Sequence, residues 1–332
     1  MGAHELTDEL LRESDVAAYL VSRGVIPSAE GVEVETLAGG VSNAVFAVEG
    51  PGRSLVLKQS LPQLKVQDEW LAKRERILTE GRALAVAARL VPGLVPLPLD
   101  ADERACTLTI ERAPSDWANW KTVLLGGDVD AGVGERLGSF LGVLHEQTWG
   151  DAELARAFDD YEAFEQLRVH PFHRTVAERV PAAAAAVQQV IAQLETRHVC
   201  LVHGDYSPKN ILVGESGLWV LDFEVAHFGD PVFDVSFMLG HLLLSAMHVP
   251  ADAERVRSLA EAFWSAYCAE LAPEHVPPET EVVAQVACLC LARVDGKSPE
   301  PILTPDQREQ ARALALRLLQ GAHELSELWS WS

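Results

Sequence analysis

The sequence predicts an α+β protein in which a small antiparallel sheet comes first and a larger, mostly helical part follows. Between Val32 and Lys58 the apolar residues recur at every second position, the period of strands with one buried face. From Gly134 onward they recur at helical spacing, as in Leu137, Phe140, Leu141 and Leu144. Between Ile211 and Leu221 two short apolar runs flank the turn Gly214-Glu215-Ser216-Gly217, a hairpin with polar residues at both mouths.

Taken in order, Ser14 before Asp15-Val16-Ala17-Ala18-Tyr19-Leu20 reads as a capped helix that Gly24 ends. Three consecutive strands are expected at Val32–Leu37, Ala44–Val48 and Ser54–Lys58. Gly39 and Gly40 in the turn between the first two let backbone N–H groups approach phosphate oxygens, with Ser42 and Asn43 as further donors. A helix is expected from Asp68 to Leu90, an extended Pro-rich segment at Leu94–Pro98 and a strand at Cys106–Ile110. In the second part, helices are expected at Gly134–Glu146, Ala182–Leu194 and 255–271. Thr304-Pro305-Asp306-Gln307 is a capping box with Pro at the first helical position, opening a terminal helix. His170-Pro171-Phe172-His173 has no acid or Cys at ligand spacing and reads as a surface loop. Trp117, Trp120 and Trp149 read as core residues rather than substrate platforms.

A chain of 332 residues holds one large domain or two lobes. A net charge of −22 disfavours nucleic acid and acidic membranes as partners. The apolar run Val235–Val249 is too short to span a bilayer. Five cysteines without a C-x-x-C pair argue for reduced thiols, with Cys288 and Cys290 in the core. Met1–Glu9 lacks a signal pattern, so the cytoplasm is the expected compartment.

The chemistry concentrates in His203-Gly204-Asp205-Tyr206-Ser207-Pro208-Lys209-Asn210 and, one hairpin later, Asp222-Phe223-Glu224. An aspartate, an asparagine five residues on and a pair of acids beyond form the set that phosphoryl transfer needs. A carboxylate orients an attacking hydroxyl, and an Asn and an Asp fix a hard divalent ion on a nucleotide triphosphate. The H-x-D-x-x-x-x-N spacing is the protein-kinase-like signature with Gly replacing Arg.

These motifs resemble those of the aminoglycoside phosphotransferase and choline kinase superfamily of small-molecule kinases. The Asp222-Phe223-Glu224 triplet has the Asp-x-Glu form of methylthioribose and choline kinases. Lys58-Gln59-Ser60-Leu61-Pro62, followed by Glu69-Trp70, Arg74 and Glu80, is similar to a methylthioribose kinase segment. The resemblance covers most of residues 33–240. It implies a bilobal protein-kinase-like fold, with residues 1–113 as the nucleotide-binding lobe and 114–332 as the catalytic and substrate-binding lobe. Glu111-Arg112-Ala113-Pro114 then falls at the linker that bonds adenine.

Residue by residue, the resemblance implies that Asp205 acts on the acceptor hydroxyl. Asn210 and Asp222 bind Mg²⁺, and Glu224 takes a second ion or its water shell. Lys58 grips the α/β-phosphates with Glu80 as its partner, His203 braces the loop, and Asp234 bonds the loop backbone. ATP is the expected donor, with GTP as the alternative. The implied function is phosphorylation of a small-molecule hydroxyl, a sugar or sugar-containing compound as in methylthioribose kinases. An antibiotic-inactivating O-phosphotransferase and a catalytically silent pseudokinase are the alternatives. The expected state is a monomer or homodimer.

Lys209 departs from the pattern, because the residue before the metal-binding Asn is commonly small. That cation can stabilise the transferring phosphate or meet an anionic substrate. Arg293 and Lys297, beside Gly296 and Pro299 after an apolar helix, are further candidates for substrate contact.

Overall fold

The computed structural model describes residues 10–37, 43–61, 73–297 and 299–331. Gly39, Gly40 and Ser42, together with Pro62, Glu69 and Trp70, lie outside the described residues. The chain divides into two compact units. One runs to Trp117 and takes in Gly214–Val225, and the other comprises Ala118–Val213 and the chain from Ala226.

The first unit is built on a five-stranded antiparallel sheet. Its strands are β1 (Glu33–Thr36), β2 (Asn43–Gly50), β3 (Arg53–Ser60), β4 (Pro98–Asp102) and β5 (Thr107–Glu111), in the spatial order β1-β2-β3-β5-β4. β4 is a strand that the proline-rich sequence did not announce. It lies at the sheet edge, where Pro98 can open it without leaving a ladder donor missing. Helix α1 (Glu13–Ser22) covers one face, with Val16 and Leu20 in a cluster with Phe46, Val48, Leu55 and Leu57. Its N-cap is Arg12 rather than Ser14: the Arg12 N–H donates to the Asp15 carboxylate, and Gly24 at φ +73° follows the last turn.

Helix α2 (Arg76–Leu90) lies on the other face, where a Cβ on Gly81 would stand 3.0 Å from Leu108. Leu108 is the cross-strand partner of Lys58, so both side chains point at α2. This helix starts at Arg76 and not at Asp68; Arg74 and Glu75 form a turn before it.

The second unit is mostly helical, with short strands such as the antiparallel pair Cys200–Val202 and His227–Gly229: its helices are α3 (Trp120–Leu125), α4 (Ala131–Thr148), α5 (Ala152–Ala157), α6 (Glu162–Phe164), α7 (Thr175–Arg179), α8 (Ala184–Thr196), α9 (Val232–His248), α10 (Ala253–Ala269), α11 (Glu279–Asp295) and α12 (Pro305–Leu318). A π-helix spans Glu165–Arg174 between α6 and α7. This corrects the expectation of a surface loop at 170–173, because Pro171, Phe172 and His173 are buried within it. α9 is the most enclosed helix, with Val235, Phe237, Met238, Leu242 and Leu243 all buried.

α4 and α10 approach closely along Gly134, Gly138 and Gly142. A Cβ on Gly138 would lie 2.1 Å from the Phe263 carbonyl oxygen, a separation no side chain can occupy. These glycines sit four apart, on one helical face, opposite Leu259, Phe263 and Tyr267. The capping box expected at α12 is present, with Gln307 N–H donating to Thr304 Oγ1 and Thr304 N–H to Gln307 Oε1. No single helix among the described residues is long and apolar enough to cross a membrane.

Candidate active site

In the first unit the candidate residues gather around β3 and α2. Lys58 stands on the central strand, and its Nζ lies 2.6 Å from Oε1 of Glu80, which is fully buried on α2. Asp222 and Glu224 act on the same pair. Burial alone would push the Lys58 ammonium pKa down. The carboxylates of Glu80, Asp222 and Glu224 outweigh it and hold that pKa above its ordinary value. Burial pushes Glu80 up to about 7, against the pull of Lys58 and with the help of Asp222 and Glu224. The two shifts share one contribution, the charges of Asp222 and Glu224, while burial raises Glu80 and opposes the rise at Lys58.

Glu224 Oε2 is 3.2 Å from Arg76 Nε and receives the Asn43 amide at 3.2 Å. Arg76 thus reaches one of the acids. Arg74, the one in the resembling segment, donates to the carbonyls of Ser60 and Ala105. Nothing in the sequence distinguishes the two; the register of the helix start decides.

Asp222 adopts φ +70°, an uncommon conformation outside glycine and one that marks functional sites. Its half-buried carboxylate makes no hydrogen bond or ion pair among the described residues. Oε2 of Glu80 is likewise buried without a partner. Among the described residues no three His, Cys, Asp or Glu side chains form a closed metal cage. Few protein carboxylates and open positions suit a divalent ion carried by nucleotide phosphates, and Asp222 with Glu224 fit that demand.

In the second unit the catalytic-loop candidates surround Asp205. The turn is fixed from below by Asp234, fully buried in the first turn of α9, which accepts the N–H groups of His203 at 2.6 Å and Gly204 at 2.8 Å. His145 of α4 lies 3.3 Å from the same carboxylate and 3.1 Å from the Tyr267 hydroxyl, so the closely packed helix pair supports the loop. Gly204 has φ +78°, which its lack of a Cβ permits. His203 Nδ1 accepts the Asp205 N–H at 3.1 Å, a bracing contact within the turn.

Asp205 is 3% exposed, and its two oxygens differ. Oδ2 meets Arg168 Nη2 at 2.7 Å, Lys209 Nζ at 2.8 Å and the Asn210 amide at 2.8 Å. Oδ1 has no hydrogen-bond partner among the described residues. Burial alone would raise this carboxyl's pKa; Arg168 and Lys209 more than reverse it and hold the group far below the usual carboxylate range. Asn210 gives its amide nitrogen to Asp205, which leaves Oδ1, the atom a hard cation takes, without a hydrogen bond among the described residues.

Arg168 was not legible in the sequence. It comes from the π-helix, also donates to the Gly204 carbonyl at 3.0 Å, and lies 36 residues before that carbonyl in the chain. Short π-helical stretches often mark functional positions, but their sequences carry no period that would reveal them. Arg293 pairs with Glu300 at 2.6 Å, and exposed Lys297 lies 3.5 Å from His170 Nδ1. Trp120 is core, Trp117 meets Trp219 edge-on and Trp149 stacks on His275.

This set of groups agrees with sequence comparison. The sequence profile of a family described as "Phosphotransferase enzyme family" matches residues 33–278. The chain belongs to this family. Its members are small-molecule kinases that use ATP and a divalent cation. The chain is 26% identical over 278 residues to the methylthioribose kinase of Bacillus cereus (strain ZK / E33L), covering 74% of this chain and 68% of that one. Its fold is similar to that of a choline/ethanolamine kinase family protein from Mesorhizobium loti (TM-score 0.52, 19% identity, 96% and 98% of the two chains covered). It is also similar to an amicoumacin kinase solved with AMP-PNP, Ca²⁺ and its antibiotic (TM-score 0.56, 14% identity, 93% and 96% covered). The protein-kinase-like fold class expected from the sequence is the one found.

Proposed function

We propose that this phosphotransferase moves the γ-phosphoryl group of ATP, with Mg²⁺, to a hydroxyl of a small sugar or sugar-containing molecule. The observation that carries the reading is the division of labour on Asp205. One oxygen is saturated by Arg168, Lys209 and Asn210, and the other is buried and unpartnered. A carboxylate held in this way orients a hydroxyl through its open oxygen.

The acceptor oxygen forms a bond to the γ-phosphorus, the bond from that phosphorus to the β–γ bridging oxygen breaks, and ADP departs. The hydroxyl proton passes to Asp205 late, as suits a weakly basic carboxylate and a loose transition state. Lys58, kept charged and oriented by Glu80, takes the α/β-phosphates. Asn43, at the start of β2, would border the nucleotide phosphates. Asp222 and Asn210 would each supply an oxygen to a divalent ion, and Glu224 would serve a second ion or its water shell. The ion, when bound, neutralises charge on the β- and γ-phosphates. Asp234 and His203 hold the loop without touching reactants.

The relatives support a sugar as acceptor, and an antibiotic hydroxyl is the competing reading. Release of ADP or GDP from ATP or GTP, measured across methylthioribose, other pentoses, choline, aminoglycosides and nucleoside antibiotics, tests both. Acceptor-dependent release abolished in Asp205→Ala supports the reading. Nucleotide binding with no turnover on any acceptor favours a silent binding module instead.

A further inference from the structure

Beside Asp205 the second unit carries more positive charge than its buried carboxylates require. Lys209 and Arg168 both pair with Asp205, at 2.8 and 2.7 Å. Asn119 links this pair to a second one. Its amide donates to the Lys209 carbonyl at 2.6 Å, and its side-chain oxygen accepts the N–H of Lys121 at 3.1 Å, at the start of α3. Lys121 Nζ lies 3.0 Å from Glu300, which Arg293 engages from its other oxygen at 2.6 Å.

α9 also contributes half-buried His241. Its ring is 4.9 Å from that of Phe237, over which the Arg168 guanidinium stands at 5.9 Å. Burial, and then Arg293, Lys121 and Lys209 against Glu300, push the His241 pKa down to about 3. Glu300, 1% exposed, is drawn down to about 2, with Arg293 and Lys121 overcoming its burial.

If these cations served only to neutralise buried carboxylates, one apiece would suffice. Each carboxylate instead has two, in a chain whose net charge is −22. A surplus of charge held on four separate segments, next to an oxygen of Asp205 without a partner among the described residues, suits an anion.

We propose that the acceptor carries a carboxylate or phosphate, received by Lys209, Lys121 and Arg293, while its hydroxyl meets Oδ1 of Asp205. This rests on the reading of Asp205 as the hydroxyl-orienting group. Aminoglycosides and choline would instead set cation against cation here.

Calorimetry on the protein saturated with Mg²⁺ and AMP-PNP tests the proposal without turnover, because the nucleotide's own phosphate sites are then filled. The probes are ribose, ribose 5-phosphate, ribonate, choline and inorganic phosphate. The expected result is at least tenfold tighter binding of ribose 5-phosphate or ribonate than of ribose, weakening as salt rises. The two anions distinguish phosphate from carboxylate. In Arg293→Gln, which leaves Glu300 paired with Lys121, the preference should fall at least fivefold with AMP-PNP affinity retained. Equal binding of ribose or choline, a preference that survives in that variant, or no anion binding at millimolar concentration overturns the proposal. Failure to bind AMP-PNP at all would instead sink the kinase reading on which it rests.

Discussion

Arg168 Nη2 lies 2.7 Å from Oδ2 of Asp205, so a residue of an irregular helix sets the charge state of the loop carboxylate. With Lys209 on the same oxygen, Asp205 stays ionised down to pH values well below the ordinary carboxylate range.

The consequence for the pH profile has a definite sign. A pKa lowered in the folded protein means that the active carboxylate is lost only at very low pH, so kcat/KM should show no acid limb from Asp205 above about pH 4.5. In Arg168→Met one of the two cations is gone and burial reasserts itself, so an acid limb should appear and move into the accessible range. A profile unchanged in shape would mean that Arg168 has no hold on the group.

Lys58 and Glu80 form a buried pair, and removing one member leaves the other charge uncompensated. Lys58→Met should lose about 3 to 5 kcal/mol of stability by denaturant titration, along with most nucleotide affinity. Lys58→Met/Glu80→Leu should recover much of the stability and none of the affinity. Equal destabilisation in the single and double variants would show that the pair is not coupled.

How much of this was legible beforehand depended on whether a residue announced itself by period or by spacing. β1 to β3 and the helices α4, α8 and α12 followed from alternation, helical repeat and capping residues. Asp205, Asn210, Asp222 and Glu224 stood out because their spacing is chemical. Arg168, Arg76, Lys121, Glu300 and His241 did not, because each acts through a contact distant in the chain and sits in a locally ordinary segment. The π-helix escaped for a related reason: Pro171 argues against any helix at that point, and only the buried packing of Phe172 and His173 restores one.

The glycine face of α4 yields a stability test. Gly138→Ala would drive a Cβ into the Phe263 carbonyl and should cost about 1 to 3 kcal/mol. Gly240→Ala on α9 is the control, because its Cβ would meet Leu289 at an ordinary 3.8 Å. That change should be neutral or mildly stabilising. Thermal unfolding that ranks the two variants the other way would contradict the packing described.

Buried His173 donates from Nε2 to Oε1 of Gln285 at 3.1 Å, and burial pushes its pKa down to about 4. Between pH 6.5 and 4 the unfolded chain therefore binds the proton that the folded chain refuses. Stability should fall as pH drops through that window, by about 3 kcal/mol from this residue. In His173→Leu the fall between pH 7 and pH 4.5 should be shallower by denaturant titration; an equally steep fall would assign it elsewhere.

The most direct measurement pairs nucleotide affinity with acceptor-dependent ADP release in Asp205→Asn. An open carboxylate oxygen that orients the hydroxyl predicts affinity for Mg²⁺ and ATP within about threefold of the parent, with transfer lower by about 10²- to 10⁴-fold. Transfer retained within a fewfold of the parent would contradict the account.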